Sequence, residues 1–224
     1  MGEGFDLNDP IALPMAFCGA TASFGDGTAQ VKLPTSLISF RVDGDLPGIT
    51  RADFEAACFE AWRRWARVIG ITVDKHANTK TDPTQIVVTT RLDRAGGVLA
   101  DQQLPYGNGM GLLMRIDTSE NWGIDDTPAQ GVMNLLAVLC HEDGHCLGMQ
   151  HIDAEGDADL MNPIYSPKIY LPQEDDISYG RKLYGPAKAQ PTPPTSPGTA
   201  MVDNLRVTID GVTYEAKGPM RRVA

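Results

Sequence analysis

Apolar residues recur along this chain with two different periods. In Leu37-Ile38-Ser39-Phe40-Arg41-Val42 they alternate with polar ones and include β-formers, which predicts a strand. Gly44 and Pro47-Gly48 end it. Phe54, Ala57, Cys58, Ala61, Trp62, Trp65, Ala66 and Ile69 then recur at helical spacing. Thr50, with Asp53 one turn in, gives that helix a capping signature at its start. Residues 71–73 and 85–90 predict two more strands, the second apolar enough to be central. Residues 98–104 and 110–117 predict a further pair around a glycine-rich turn. Asp126-Thr127-Pro128 predicts a helix start, a polar cap with proline near the first turn. Val132, Leu135, Leu136, Val138, Leu139 and Leu147 surround that helix almost completely, as expected of one buried mid-domain. A last helix is expected from about residue 174 to 183.

The pattern stops at Pro186. Pro191-Thr192-Pro193-Pro194-Thr195-Ser196-Pro197-Gly198 reads as an extended linker without a core. Beyond it, residues 202–215 alternate around Asp210-Gly211, a hairpin signal, but two strands are too few for independent stability. Four segments result: an arm at 1–36 rich in Gly, Ala, Pro, Ser and Thr, a domain at 37–186, a Pro-rich linker at 187–199, and a hairpin-like tail at 200–224.

Composition narrows the function classes. The chain has 224 residues, 42% hydrophobic and 21% charged, which suits one globular core. A formal net charge of −10 argues against nucleic acid or an anionic membrane as partner. No apolar run approaches the roughly 18 residues that a membrane span requires. Four cysteines without C-x-x-C spacing are too few for a disulfide scaffold. Cys140 and Cys146 sit about 240° apart on one helix and cannot pair there. Buried free thiols fit better than a Cys58–Cys140 bridge.

Chemistry concentrates in Leu135-Leu136-Ala137-Val138-Leu139-Cys140-His141-Glu142-Asp143-Gly144-His145-Cys146-Leu147-Gly148-Met149-Gln150-His151. Four helical steps return His145 to within roughly 40° of His141, so both imidazoles point one way. Glu142 lies about 100° to one side, beside a metal and not on it. Gly148 can end the helix and turn the chain, letting His151 come back as a third ligand. Three neutral imidazoles and one open position describe a catalytic zinc site, whereas a structural site is closed by four protein ligands.

A short H-E-x-x-H arises by chance on many helices. The longer H-E-x-x-H-x-x-G-x-x-H is far more specific, and Leu160-Met161-Asn162-Pro163 supplies the methionine turn that should follow it. Here the chain resembles the metzincin proteases. Met161-Asn162-Pro163-Ile164-Tyr165 is similar to the M-x-P-x-Y pattern of the matrixins among them, and Asp175-Asp176-Ile177-Ser178-Tyr179-Gly180 with Leu183-Tyr184-Gly185 resembles their last helix. Gly96-Gly97-Val98-Leu99-Ala100 resembles the end of the matrixin D-G-P-G-G-x-L-A loop. The resemblance covers roughly residues 38–185.

It implies an α+β fold of zincin type: a twisted, mostly parallel five-stranded sheet with an antiparallel edge strand, three helices, and a cleft between edge strand and zinc helix. It implies one catalytic zinc on His141, His145 and His151, Glu142 as general base for the attacking water, and hydrolysis of polypeptide substrates. Met161 would be a hydrophobic floor under the metal, Pro163 and Tyr165 the wall of the pocket for the residue after the cut bond, and Leu99 and Ala100 the strand that aligns substrate. Asp93, Asp117 and Glu120 match carboxylates that would suit calcium, against the alternative of a solvated acidic surface.

Departures from the family are specific. Asp101 stands where a histidine would hold a second, structural zinc, and His76 lies outside the matching loop, so no structural zinc is expected. Ile152 and Asp143 replace the usual serine and a neutral residue. Cys18-Gly19 lacks the Arg, Pro and Asp of the family's P-R-C-G-x-P-D inhibitory segment, and an ordinary cysteine is the better reading. The family is commonly secreted, which favours an extracellular or virion-associated protein, yet no signal peptide is visible at the start. Two rivals stand beside the endopeptidase: a non-catalytic binding or structural module that keeps the metal, and a protease that processes only itself. Oligomeric state is not legible.

Overall fold

The computed structural model describes residues 17–18, 32–75, 84–91, 97–152, 159–188, 204–209 and 212–217. The chain divides into two compact units, Met1–Lys188 and Ala189–Ala224. In the first, strands β1 (Phe17–Cys18), β2 (Leu37–Val42), β3 (Thr72–Lys75), β4 (Ile86–Arg91), β5 (Val98–Gln102) and β6 (Leu112–Asp117) form one sheet in the order β1-β5-β6-β4-β2-β3. Its body is the expected five strands: β2 with β3, β2 with β4 and β4 with β6 are parallel, and β5 runs antiparallel to β6. The outer edge of β5 is not wholly free, because the two-residue β1 pairs with it in parallel, opposite Val98 and Ala100. Ile86, Val87 and Val88 are buried in succession, as in a central strand covered on both faces.

Helix α1 (Arg51–Ala66) begins where the capping signature puts it. Thr50 is extended, and its Oγ1 accepts from the Asp53 N–H at 3.1 Å. The helix buries Phe54, Ala57, Cys58, Ala61, Trp62 and Trp65. Trp65 packs it against the next helix and donates from its indole N–H to the Cys140 carbonyl at 2.7 Å. Both α1 tryptophans are fully buried, and truncating either to Ala costs about 3–5 kcal/mol. Cys58, Cys140 and Cys146 are buried free thiols.

Helix α2 (Leu135–Cys146) starts later than the sequence pattern suggests. Residues 126–132 are irregular, and the two-residue strands β7 (Trp122–Gly123) and β8 (Met133–Asn134) pair in parallel just before the helix. The expected cap at Asp126 is spent elsewhere: its carboxylate pairs with Arg64 and its carbonyl accepts from the Asn134 amide at 3.0 Å. Gly131 has φ of 79°, which interrupts any helix there. Asn134 is the true cap, its Oδ1 accepting from the Ala137 N–H at 3.0 Å.

Helix α3 (Glu174–Tyr184) closes the domain. The Tyr184 hydroxyl accepts from the Leu33 N–H and donates to the Leu147 carbonyl, both at 2.9 Å. Leu33 is itself part of the core. The second unit contains an antiparallel pair, β9 (Asn204–Ile209) and β10 (Val212–Lys217), in register from Ile209 opposite Val212. His76, Asp93, residues 189–199 of the predicted linker and the Asp210-Gly211 turn lie outside the described residues.

Candidate metal centre

Every residue of α2 is buried, so its histidines sit in the protein interior. His141 and His145 stand one turn apart, with Nε2 atoms separated by 3.1 Å. The helix then ends in a glycine-dependent turn. Gly148 has φ of 97°, its N–H donates to the His145 carbonyl at 2.9 Å, and the Met149 N–H donates to the Gly144 carbonyl at 3.0 Å. This paired closure satisfies the last carbonyls and reverses the chain. It brings His151 back, with its Nε2 at 3.1 Å from that of His145. The nitrogens of the three rings lie within 4.8 Å of one another.

Proton accounting says what the cluster wants. The Nδ1 of His141 sits 2.6 Å from the Leu160 carbonyl, and that of His145 sits 2.9 Å from the Met149 carbonyl. A carbonyl only accepts, so each Nδ1 carries the hydrogen and each Nε2 presents a lone pair. Burial, helped by the neighbouring His151, lowers the His141 pKa to about 4 against the pull of the Leu160 carbonyl. Burial and His141 lower that of His145 well below its usual value. Both rings are therefore neutral at pH 7. Adjacent Nε2 lone pairs facing each other without a donor repel, and a cation resolves the repulsion. Tetrahedral zinc with Zn–N of about 2.1 Å spaces its ligands about 3.4 Å apart, close to the distances found here. The carbonyls behind His141 and His145 are the partners that fix ring orientation in metal sites.

Met161 of the methionine turn is fully buried and packs beside Gly144. Gly144 leaves room for it: a Cβ there would overlap the Met161 Sδ and stand 3.2 Å from Trp65 Cζ2. The methionine turn is tied down by Asp176, whose carboxylate accepts from the N–H groups of Leu160 at 2.8 Å, Met161 at 3.0 Å and Gln173 at 2.8 Å. The sequence pattern marks Asp176 only as part of the last helix; its reach to residues 15 and 16 positions earlier is tertiary.

A pocket opens beside His141 of the metal centre. Glu142 is 1% exposed, yet it lines this pocket together with His141. Leu99, Pro163 and Tyr165 line it as well, with Ala137, Val138, Ile164 and Ile169. The Tyr165 hydroxyl is fixed by accepting from the Asn134 N–H at 2.8 Å. Ala100 is fully buried on β5, opposite Ile116. The loop between Pro163 and α3 is anchored by Arg64, which donates to the Tyr170 carbonyl at 2.6 Å and lies over the Tyr170 ring. No sequence signal distinguished Arg64 from the other polar residues of α1.

Of the remaining expected residues, the described Asp117 and Glu120 do not join the histidine cluster. Asp117 is buried and accepts from the Ser119 N–H at 2.9 Å and its hydroxyl at 2.8 Å. Burial and then the Asp117 charge push the Glu120 carboxyl above its usual range. Asp101 is 3% exposed at its side chain and pairs with Arg115 at 2.8 Å and Arg91 at 3.3 Å. Asp143 is buried with one carboxylate oxygen unpartnered among the described residues, and burial followed by the charge of Glu142 pushes its pKa far up. Among the described residues, no helix is long and apolar enough to cross a membrane.

Comparison with known proteins agrees with this geometry. Matrix metalloproteinase-18 of Xenopus laevis is 32% identical over 186 residues, covering 79% of this chain and 38% of its own length. Interstitial collagenase of Sus scrofa is 30% identical over 182 residues, 79% of this chain and 37% of its own. Human matrix metalloproteinase-27 is 28% identical over 187 residues, 79% of this chain and 35% of its own. The chain thus matches well under half the length of these relatives. The family model for Matrixin matches residues 32–185, a span that holds all three imidazoles, the methionine turn and α3. This chain belongs to the matrixin family, whose members are zinc metalloendopeptidases built on the metzincin fold.

Proposed function

We propose that this chain is a zinc-dependent endopeptidase acting on extended polypeptides. The observation that carries the reading is the convergence of three imidazoles, two of them fixed by carbonyls with their lone pairs inward, beside a pocket walled by Glu142. His141, His145 and His151 would hold the zinc. When bound, zinc supplies a Lewis acid that activates water and polarises a carbonyl. Glu142 takes the proton of the attacking water and hands it to the departing amine. Burial of the carboxylate removes competing solvent from that exchange. Leu99 and Ala100 on β5 would hold the substrate backbone as an added strand once Phe17–Cys18 has left that edge. Pro163 and Tyr165 shape the pocket for the residue after the cut bond, and Met161 supports the histidines from below.

The purified protein should cleave casein or a quenched peptide and lose that activity with a chelator. Glu142→Ala should abolish cleavage while zinc stoichiometry stays at one. A wild type that binds zinc and cleaves nothing across varied substrates would instead favour the binding-module reading. Incubation followed by mass measurement separates an enzyme that cuts only itself. Calcium at Asp93, Asp117 and Glu120 is a distinct proposal, supported by the mutual repulsion of Asp117 and Glu120 that a cation would relieve. A rise in melting temperature with calcium, lost in Asp117→Asn, is its test.

A further inference from the structure

The pocket beside the metal centre is not uniformly apolar. Leu99, Val138, Ile164, Tyr165 and Ile169 give it hydrophobic walls, but Asp159 also lines it. Asp159 is 7% exposed, and among the described residues its carboxylate has no hydrogen bond and no ion pair. A carboxylate with little solvent contact and no partner favours a cation that can reach it. The described charge that acts on it is also negative. Burial first, and then the charge of Asp175, push the Asp159 carboxyl above its usual range. Asp176 also feels Asp159, but its own oxygens are taken by three backbone N–H groups. No described Lys or Arg pairs with Asp159 or Asp175. Asn162, also on the pocket wall, spends its Oδ1 on the Ile164 N–H at 2.9 Å. Beside its apolar walls, and apart from His141 and Glu142 at the metal centre, the pocket therefore presents a carboxylate that no described cation neutralises.

We propose that Asp159, with Asp175 behind it, makes this pocket select a long basic side chain, Lys or Arg, at the position following the cleaved bond. This rests on the endopeptidase reading and names its substrate class. The aliphatic stem of Lys or Arg lies along the apolar walls while the charged tip reaches Asp159, the usual division of such side chains. The formal net charge of −10 adds long-range attraction for basic polypeptides. A methionine or leucine fills the same walls but leaves the carboxylate unpaired, and discrimination is strongest where the wrong substrate leaves a buried polar group unpaired.

The experiment uses the full chain and a set of peptides identical except for Leu, Met, Gln, Lys or Arg after the cut bond. Values of kcat/KM are measured by cleavage. Dissociation constants are measured with Glu142→Ala protein, where hydrolysis does not interfere. Lys or Arg should match or exceed Leu in both. Asp159→Asn should lower the Arg-to-Leu ratio by about tenfold, the loss of one charge-assisted contact, and Asp175→Asn should lower it less. Circular dichroism and urea midpoints confirm that each variant is folded. If no peptide is cleaved but Arg peptides still bind better than Leu peptides, hydrolysis fails and the pocket assignment stands. A wild type that prefers Leu or Met, a ratio unmoved by Asp159→Asn, or peptides that neither bind nor are cut would overturn the proposal.

Discussion

Asp176→Asn tests the link between the last helix and the metal centre. The substitution keeps size and shape. The native carboxylate accepts three backbone N–H groups, two on one oxygen and one on the other. An amide offers one acceptor oxygen, and its NH₂ must face at least one of those N–H groups. One or two charge-assisted bonds are lost, each worth about 1.5–3 kcal/mol. Burial opposes part of this: it pushes the Asp176 carboxyl above its usual range despite the three donors, so removing the charge returns some free energy. We expect a net loss of about 2–4 kcal/mol, a drop of about 1–2 M in urea midpoint for a typical slope. The damage should also reach the metal. Leu160, freed at its N–H, carries the carbonyl that orients His141 at 2.6 Å. Loosening such a partner typically costs 10- to 100-fold in metal affinity. Urea titrations with chelator present, and zinc competition against a fluorescent indicator, measure the two effects. Glu174→Gln, exposed on the same turn, is the control. An unchanged urea midpoint would refute the hydrogen-bond argument; normal zinc affinity in a destabilised variant would refute the link to the site.

Other consequences follow from the same geometry. Asp101→Asn should cost about 1–2 kcal/mol in urea unfolding: breaking a buried pair costs more, but Arg91 and Arg115 stay 28% and 40% exposed at their side chains and can turn to water. Gly144→Ala should destabilise by about 1–3 kcal/mol by overpacking against Met161 and Trp65, outweighing the smaller gain in helix propensity, and a lowered melting temperature would show it. His141 should weaken the metal-free protein in acid. Its folded pKa of about 4 lies below the unfolded 6.5, so its contribution is complete above 6.5 and is lost as pH falls towards 4, about 3 kcal/mol in all. Asp143 and Asp176, with raised pKa values, act in the opposite sense, so the effect is read as the difference in pH slope between wild type and His141→Gln. Equal slopes would sink it.

What the sequence determined by itself is what short-range geometry controls. Alternation specified β2, because side chains in a strand face opposite sides with a period of two, and turn-bounded apolar runs specified β4 and β6 to within a few residues. Thr50 and Asp53 set the start of α1 through a contact three residues long. Spacing of four residues put His141 and His145 on one face, and Gly148 supplied the backbone conformation that returns His151. Tertiary structure decided what depends on partners far away in the chain. Asp126 has a helix-start pattern around it, but Arg64, 62 positions earlier, claims its carboxylate, and α2 begins instead at Asn134. Arg64 and Asp176 look like surface charges in a local window, yet each stitches a distant loop to the site. Asp159 is one acidic residue among many in the sequence; only packing puts it on the pocket wall, its carboxylate without a partner among the described residues. The residues at 17–18 showed no strand period, and their pairing with β5 comes from an edge that offers free backbone groups. Local periodicity selects elements, while the choice among chemically equivalent distant partners is made by the three-dimensional arrangement that buries the most surface and leaves the fewest polar groups unpaired.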